Sequence, residues 1–312
     1  MSPFFESLPK RDRDEILRIN GIQCARAPSL EDFAAKSLSD LQKHRRTLLT
    51  RTSSSLLSAT LHHLQMYICD RGIIRRFIDD NVLELKTGVD TGARLGLLIR
   101  TAGGTDYAGY DCAHIFDFIF AMAVADWPAV EVFLKRFPGP FKIGHASTLL
   151  LTNSLYAIVR RDRVALAEFE PDLRSRSERH FFRAMYDCLI GIMASDGQLV
   201  SDAIGRMVKW NRRQEQLNSS MQKLVCLYAH GLFNLCVKEF TARGTEIPTI
   251  SDSLPWDADF HKFIHSDETP KSPSVFDFSS VNPVLKRWLD DLPEDLNIDE
   301  LLAPLKPWWR FW

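Results

Sequence analysis

The segment Ser154-Leu-Tyr-Ala-Ile-Val-Arg-Arg-Asp162-Arg-Val-Ala-Leu-Ala-Glu-Phe-Glu-Pro-Asp-Leu173 decides the fold. Its apolar residues recur three or four apart on both sides of Asp162, the period of two helices joined by a short turn. The same plan occurs at Phe116 to Phe137 around Asp126 and at Met185 to Met207 around Asp196. The three aspartates fall 36 and 34 residues apart. Behind each, apolar residues return at the third or fourth position (Ala129/Val130, Ala165/Leu166, Leu199/Val200) and again near the seventh or eighth (Phe133/Leu134, Phe169, Ala203/Ile204). Evenly spaced hairpins that bury their faces against one another give a stacked, repeat-like array. The alternative is a non-repetitive bundle with evenly spaced turns. The phasing places Phe133, Leu155, Leu166, Leu189 and Ile204 between hairpins.

Helical periodicity extends outward from this centre. Ser29-Leu-Glu-Asp32 has the form of a capping box, and Leu30, Phe33, Ala34, Leu38 and Leu41 share the face behind it. Further helices are predicted over Ser54 to Cys69, Ile73 to Leu85 and Thr91 to Thr101, the last stopped by Gly103-Gly104. Thr245 to Ile250 comes nearest to a strand, and Pro248 makes it a poor one. After Phe240 the chain is loop-rich, with short helices near Pro283 to Leu289 and Ile298 to Leu302. It closes on Pro307-Trp-Trp-Arg-Phe-Trp312, too aromatic to hang free in water. The expected fold is therefore all-α: stacked helical hairpins in one domain over 1–268, then an aromatic extension over 269–312 packed on that domain or on a partner.

Composition excludes several functions. The 312 residues carry 39 Lys+Arg against 40 Asp+Glu, a net charge of −1 that argues against coating nucleic acid or an anionic membrane. Met1 to Glu6 lacks the charged-then-apolar pattern of a secretory signal, and no run is long and apolar enough to span a bilayer. Six cysteines without a Cys-x-x-Cys pair read as reduced thiols, four of them (Cys69, Cys188, Cys226, Cys236) among apolar neighbours, in a cytoplasmic protein.

Chemistry-bearing motifs are sparse. Gly-x-Ser-x-Gly, Walker and Gly-x-Gly-x-x-Gly patterns are missing. His261 and His265 stand i,i+4, but Lys262 occupies the place of a zincin glutamate and a third ligand is not evident. Asp106, Tyr107, Tyr110, Asp111, His114 and Asp117 form a polar cluster. It reads as helix capping, as a partner contact, or as a carboxylate-oriented histidine base. No cofactor, no metal and no catalysis are expected. Arg206, Lys209 and Arg213 share a helical face beside Arg212, ordinarily a solvated face. The opposite charge gathers in Asp290, Asp291, Glu294, Asp295, Asp299 and Glu300, a run without one base. Leu292, Leu296 and Ile298 let that run dock while its carboxylates face outward, either as a solvated loop or as a surface for a basic protein.

The stretch Leu224-Val-Cys-Leu-Tyr-Ala-His-Gly-Leu-Phe-Asn-Leu-Cys-Val-Lys-Glu-Phe-Thr-Ala-Arg-Gly244 is followed by Ile247-Pro248 and then Ser253-Leu-Pro255. With helix–Asp–helix units such as Leu155 to Asp162, it resembles the immunity protein 49 family of bacterial polymorphic toxin systems, over roughly residues 115–258. The resemblance implies an all-helical protein that binds and neutralises a cognate toxin without catalysis, a nucleic-acid-attacking toxin among the candidates. It supplies no catalytic residues. A helical-repeat scaffold for another protein or peptide is the alternative, and a helical hydrolase using His114 a more distant one. The expected contact residues are the six acids from Asp290 to Glu300, the anchors Trp308, Trp309 and Trp312, and Asp106, Tyr107, Tyr110 and Asp111.

Overall fold

The structure, a computed structural model, describes residues 1–47, 53–103, 111–213, 219–251, 255–266 and 275–303. About 73% of these are helical, and no strand occurs among them. The N-terminal third forms α1 (Pro3–Glu6), α2 (Lys10–Arg26), α3 (Leu30–Thr47), α4 (Ser53–Asp79) and α5 (Val82–Thr101). The middle forms α6 (Ile115–Ala123), α7 (Trp127–Arg136), α8 (Ala146–Arg160), α9 (Arg163–Ser175), α10 (His180–Ala194) and α11 (Gly197–Asn211). There follow α12 (Leu227–Arg243), α13 (Ala258–Ile264), α14 (Pro283–Asp291) and α15 (Ile298–Leu301). The protein is all-α.

The helix–Asp–helix units are hairpins with one shared turn. Ala125, Arg161 and Ser195 adopt left-handed backbone at φ 56, 57 and 56°. The aspartate after each caps the next helix. Asp126 accepts from the Ala129 amide at 3.2 Å, Asp162 from Val164 and Ala165 at 3.1 Å, and Asp196 from Leu199 at 3.0 Å. Each aspartate's own N–H donates to a carbonyl five residues back, on Ala121, Ala157 and Gly191, at 2.9 Å. A left-handed non-glycine residue costs ~1–2 kcal/mol, and an aspartate cap contributes ~1 kcal/mol in return. One residue thus closes the first helix and the next opens the second. Asp80 (φ 57°) and Asn81, which accepts from Glu84 N at 3.0 Å, build the α4–α5 turn in the same way.

That fourth hairpin corrects the expected boundaries. The helix predicted over Ile73 to Leu85 does not exist as a unit: α4 runs on through Asp79, and α5 starts at Val82 rather than Thr91. Gly72 lies inside α4, where a Cβ would meet Glu84 O of α5 at 2.9 Å. The helices touch backbone to backbone there, which only glycine permits. Thr245 to Ile250 pairs with no strand; Ser201 Oγ donates to Thr249 O at 2.8 Å instead. Of the predicted core, Phe133, Leu155, Leu189 and Ile204 are fully buried. Leu166 is half-buried, because α9 lies outside the stack with Leu173 as its buried residue.

The centre of the molecule is α5, buried on nearly every side from Leu85 to Leu98. It carries two stripes of period four. Along one, Gly92 and Gly96 admit the Cys69 thiol of α4 and the Asp117 carboxyl of α6 into places where a Cβ would lie 2.2 Å from them. Along the other stand Lys86, Asp90 and Arg94, all buried. A buried helix is ordinarily apolar all round. These charges are kept because each meets another: Lys86 Nζ lies 3.3 Å from Asp90, and Arg94 is bidentate on Asp126 at 2.7 and 3.1 Å. The C-terminal segment joins the same core through Phe278, Leu285, Trp288, Leu289 and Leu301. Among the described residues no helix is long and apolar enough to cross a membrane.

Candidate partner-binding site

The acidic run is mounted on the body by α14, α15 and two buried or half-buried arginines. Asn282 opens α14: its Oδ1 accepts from Leu285 N at 2.9 Å, and its Nδ2 donates to Leu301 O at 2.7 Å, tying α14 to α15. Arg94 reaches out of α5 and donates through Nη1 to Leu289 O at 2.6 Å and Asp290 O at 3.1 Å. A cation at the C-terminal carbonyls of a helix complements its dipole. The other edge of the same guanidinium holds Asp126, the N-cap of α7, so Arg94 joins the end of one helix to the start of another. Arg136 of α7 donates to Leu292 O at 2.7 Å, where α14 ends in left-handed backbone. Leu292 is buried and Leu296 and Ile298 are half-buried, as their interleaving with the acids suggested.

All six carboxylates face solvent. The run has no base in sequence, but it has several in space. Lys286 pairs with Asp290 at 2.5 Å, Arg287 with Glu300 at 2.5 Å, and Lys135 of α7 with Glu294 at 3.0 Å. The Lys135 hydrogen bond holds Glu294 below the usual carboxylate range. Burial lowers Arg136, against the opposing charges of Glu294 and Asp295. Asp291 and Asp295 make no salt bridge to a described residue and are the carboxylates most available to a partner.

The other expected contacts are placed differently. Asp111 accepts from the amides of Lys142 and Ile143 at 3.1 and 3.2 Å, so its carboxylate fixes the loop before α8. Asp106, Tyr107 and Tyr110, like Trp308, Trp309 and Trp312, lie outside the described residues. His114 is fully buried among Phe133, Phe137, Phe141 and Tyr156, with Nε2 2.7 Å from Tyr156 Oη. Burial lowers its pKa to about 3, so the ring is neutral.

Asp117 turns the other way, into α4 and α5, where Gln65 Nε2 donates to it at 2.6 Å. The three residues Asp111, His114 and Asp117 therefore share a stretch of chain but no site. Burial raises Asp117 to about 7, against the Gln65 hydrogen bond and the Arg100 charge. An unfolded aspartate ionises near 4, so the folded state holds this proton more tightly between pH ~4 and ~7. Its contribution to stability is full below pH ~4 and is lost as the pH rises to ~7. Asp117→Asn should remove that loss. Urea midpoints should show the variant gaining on the wild type from pH 5 to pH 8; a constant gap would contradict a neutral buried carboxyl.

The His261 and His265 rings lie 4.7 Å apart and tilted by 59°, but His265 Nε2 is committed to Asn234 Oδ1 at 2.9 Å and His261 packs on Phe233 and Trp256. Burial lowers His261 to about 4. Among the described residues no group of three or more His, Cys, Asp or Glu could hold a metal ion. The basic face of α11 is shared out: Arg206 pairs with Asp187, Arg212 with Asp12, and Arg213 lies over Trp210. Sequence reasoning missed Arg94, Lys135 and Arg136, the residues that hold and balance the acidic run. Their only local signal is the Lys135-Arg136 pair at the end of α7.

The chain matches no protein-family model, no curated protein and no solved structure.

Proposed function

We propose that the protein is an immunity protein that binds a cognate toxin and neutralises it by contact, without catalysis. The observation that carries this reading is the firmly mounted acidic segment, whose main chain is held from beneath by Arg94 and Arg136 while Asp291 and Asp295 face solvent and make no salt bridge to a described residue. A surface of that kind steers a basic protein into register and is already ordered before the encounter, so little conformational entropy is lost on binding. A toxin lethal to its producer demands Kd at ~1 nM or below, about −12 kcal/mol.

The test uses the toxin encoded beside this chain, co-expressed with it and then purified. Protection of the cell and nanomolar binding are expected, and no binding would remove the reading. Asp291→Lys/Asp295→Lys should slow association ~10-fold at low salt, with the difference shrinking as ionic strength rises, since the Debye length is only ~10 Å at 0.1 M. Association rates equal to wild type across the salt series would take this segment out of the interface while leaving tight binding to be explained elsewhere.

A further inference from the structure

Two clefts lie side by side along the α10–α11 hairpin, away from the acidic segment. One, of about 370 Å³, is lined by Arg174, Arg176, Arg183, Asp187, Ile190 and Leu199. The other, of about 290 Å³, is lined by Arg206, Lys209, Asp202, Val208 and Ile250 among others. An ion triad forms the wall between them: Arg183 Nη2 holds Asp187 Oδ1 at 2.5 Å, and Arg206 Nη2 holds Asp187 Oδ2 at 2.8 Å. One carboxylate between two guanidiniums leaves the wall positive. Arg183 also donates to the carbonyls of Arg174 and Arg176 at 3.4 and 3.3 Å, which fixes the α9–α10 turn and the two arginines on it.

Of those two arginines, Arg174 has an exchangeable partner and Arg176 a fixed one. Arg174 pairs with Glu170 at 2.6 Å, with the side chains 55% and 43% exposed. Arg176 pairs with Glu178 at 2.7 Å. An exposed pair such as Arg174–Glu170 contributes ~0–1 kcal/mol, so an incoming carboxylate can replace Glu170 at little cost. Glu178, whose side chain is only 13% exposed and also accepts from Ser147 Oγ, stays in place and orients Arg176 through Nε. Arginine forks recognise such a carboxylate through two parallel hydrogen bonds.

We propose that this double cleft binds an extended acidic peptide segment of a partner protein, its carboxylates on Arg174 and Arg176 and its apolar side chains on Ile190 and Leu199. The lining selects this ligand over a nucleic-acid strand. Ile190 and Leu199 offer a phosphodiester chain nothing, whereas they suit aliphatic side chains. Asp187 and Asp202 would repel phosphates but can accept peptide N–H groups. Curved hairpin stacks present such grooves to extended segments. The inference does not depend on the toxin reading, which uses a surface of opposite charge.

The experiment titrates the full chain into a short fluorescein-labelled peptide of mixed Glu, Ser and Leu, with oligothymidylate of equal charge as the competitor class. Anisotropy should show peptide binding below ~1 mM, ~10-fold weaker in Arg174→Glu/Arg176→Glu, a loss expected for one charge-assisted pair. Asp291→Lys/Asp295→Lys, which adds positive charge, should not weaken peptide binding, which separates this site from the acidic one. If the double variant misfolds by circular dichroism, Arg174→Glu alone, at an exposed side chain, should still weaken binding. No peptide binding, tighter binding of oligothymidylate, or peptide affinity indifferent to the arginine variants would each overturn the proposal.

Discussion

Gly231→Ala should destabilise the protein by ~3 kcal/mol or more, although alanine is favoured over glycine inside a helix by ~1 kcal/mol. Gly231 lies in α12 against α6, where a Cβ would sit 2.4 Å from Ile119 O and 2.6 Å from Ile119 Cγ2. A side chain can rotate away, but a helical carbonyl cannot. The two helices would have to move apart, and with them the contacts around Phe233, Leu235, Ile119 and Met122, all fully or nearly fully buried. Asn234 donates to Met122 O and Ala123 O at 3.0 and 2.9 Å across the same interface, and those bonds would lengthen too. Gly205→Ala in α11 is the control. Nothing lies within 4 Å of its Cβ, so the substitution should stabilise by ~0.5–1 kcal/mol through the unfolded chain. Thermal melts of the pair should move in opposite directions. If Gly231→Ala melts at or above the wild type, α6 and α12 are not packed this closely.

Arg94→Met should cost ~3–5 kcal/mol, the range for removing one partner of a buried ion pair. Methionine fills much of the space but leaves the Asp126 carboxylate without its fork and the carbonyls of Leu289 and Asp290 without their donor. Asp90, already raised to about 7 by burial and by the charge of Asp126, loses a compensating cation 3.6 Å away. The effect should be greatest on the C-terminal segment. Hydrogen exchange across residues 276–301 should accelerate more than in α10 or α12, and association with a basic partner should slow because the acidic surface is no longer held. Arg94→Lys keeps the charge but not the fork, and should recover only part of the loss. Uniform exchange through the whole chain would mean that Arg94 supports the global fold and not this segment in particular.

Much of the architecture is legible because it is local. Asp126, Asp162 and Asp196 cap helices through their own neighbours' amides, so period and cap suffice to place three hairpins. Gly244, left-handed at φ 66°, stops α12 for the same reason. The extent of α4 is not legible in this way: Gly72 sits mid-helix because α5 approaches it, and the backbone it meets, at Glu84 and Gly88, is 12 and 16 residues further along. The polar cluster of Asp111, His114 and Asp117 comes apart for a different reason. Helical spacing gives the direction of a side chain, and what stands there is supplied by other helices: the 142–143 loop, Tyr156 and Gln65.

The sequence by itself determined the helical class, the hairpin turns and the presence of six acids with docking leucines between them, because each depends on residues within about a turn or two of one another. Tertiary structure alone decided which of those acids are paired with described cations. Lys135 and Arg136 come from 150 or more residues away to meet Glu294 and Leu292, and Arg94 from farther still to hold Leu289 and Asp290. Coulomb interaction falls with distance in space and takes no account of separation along the chain. A run without a base in sequence thus becomes a partly neutralised surface in which Asp291 and Asp295 stand out.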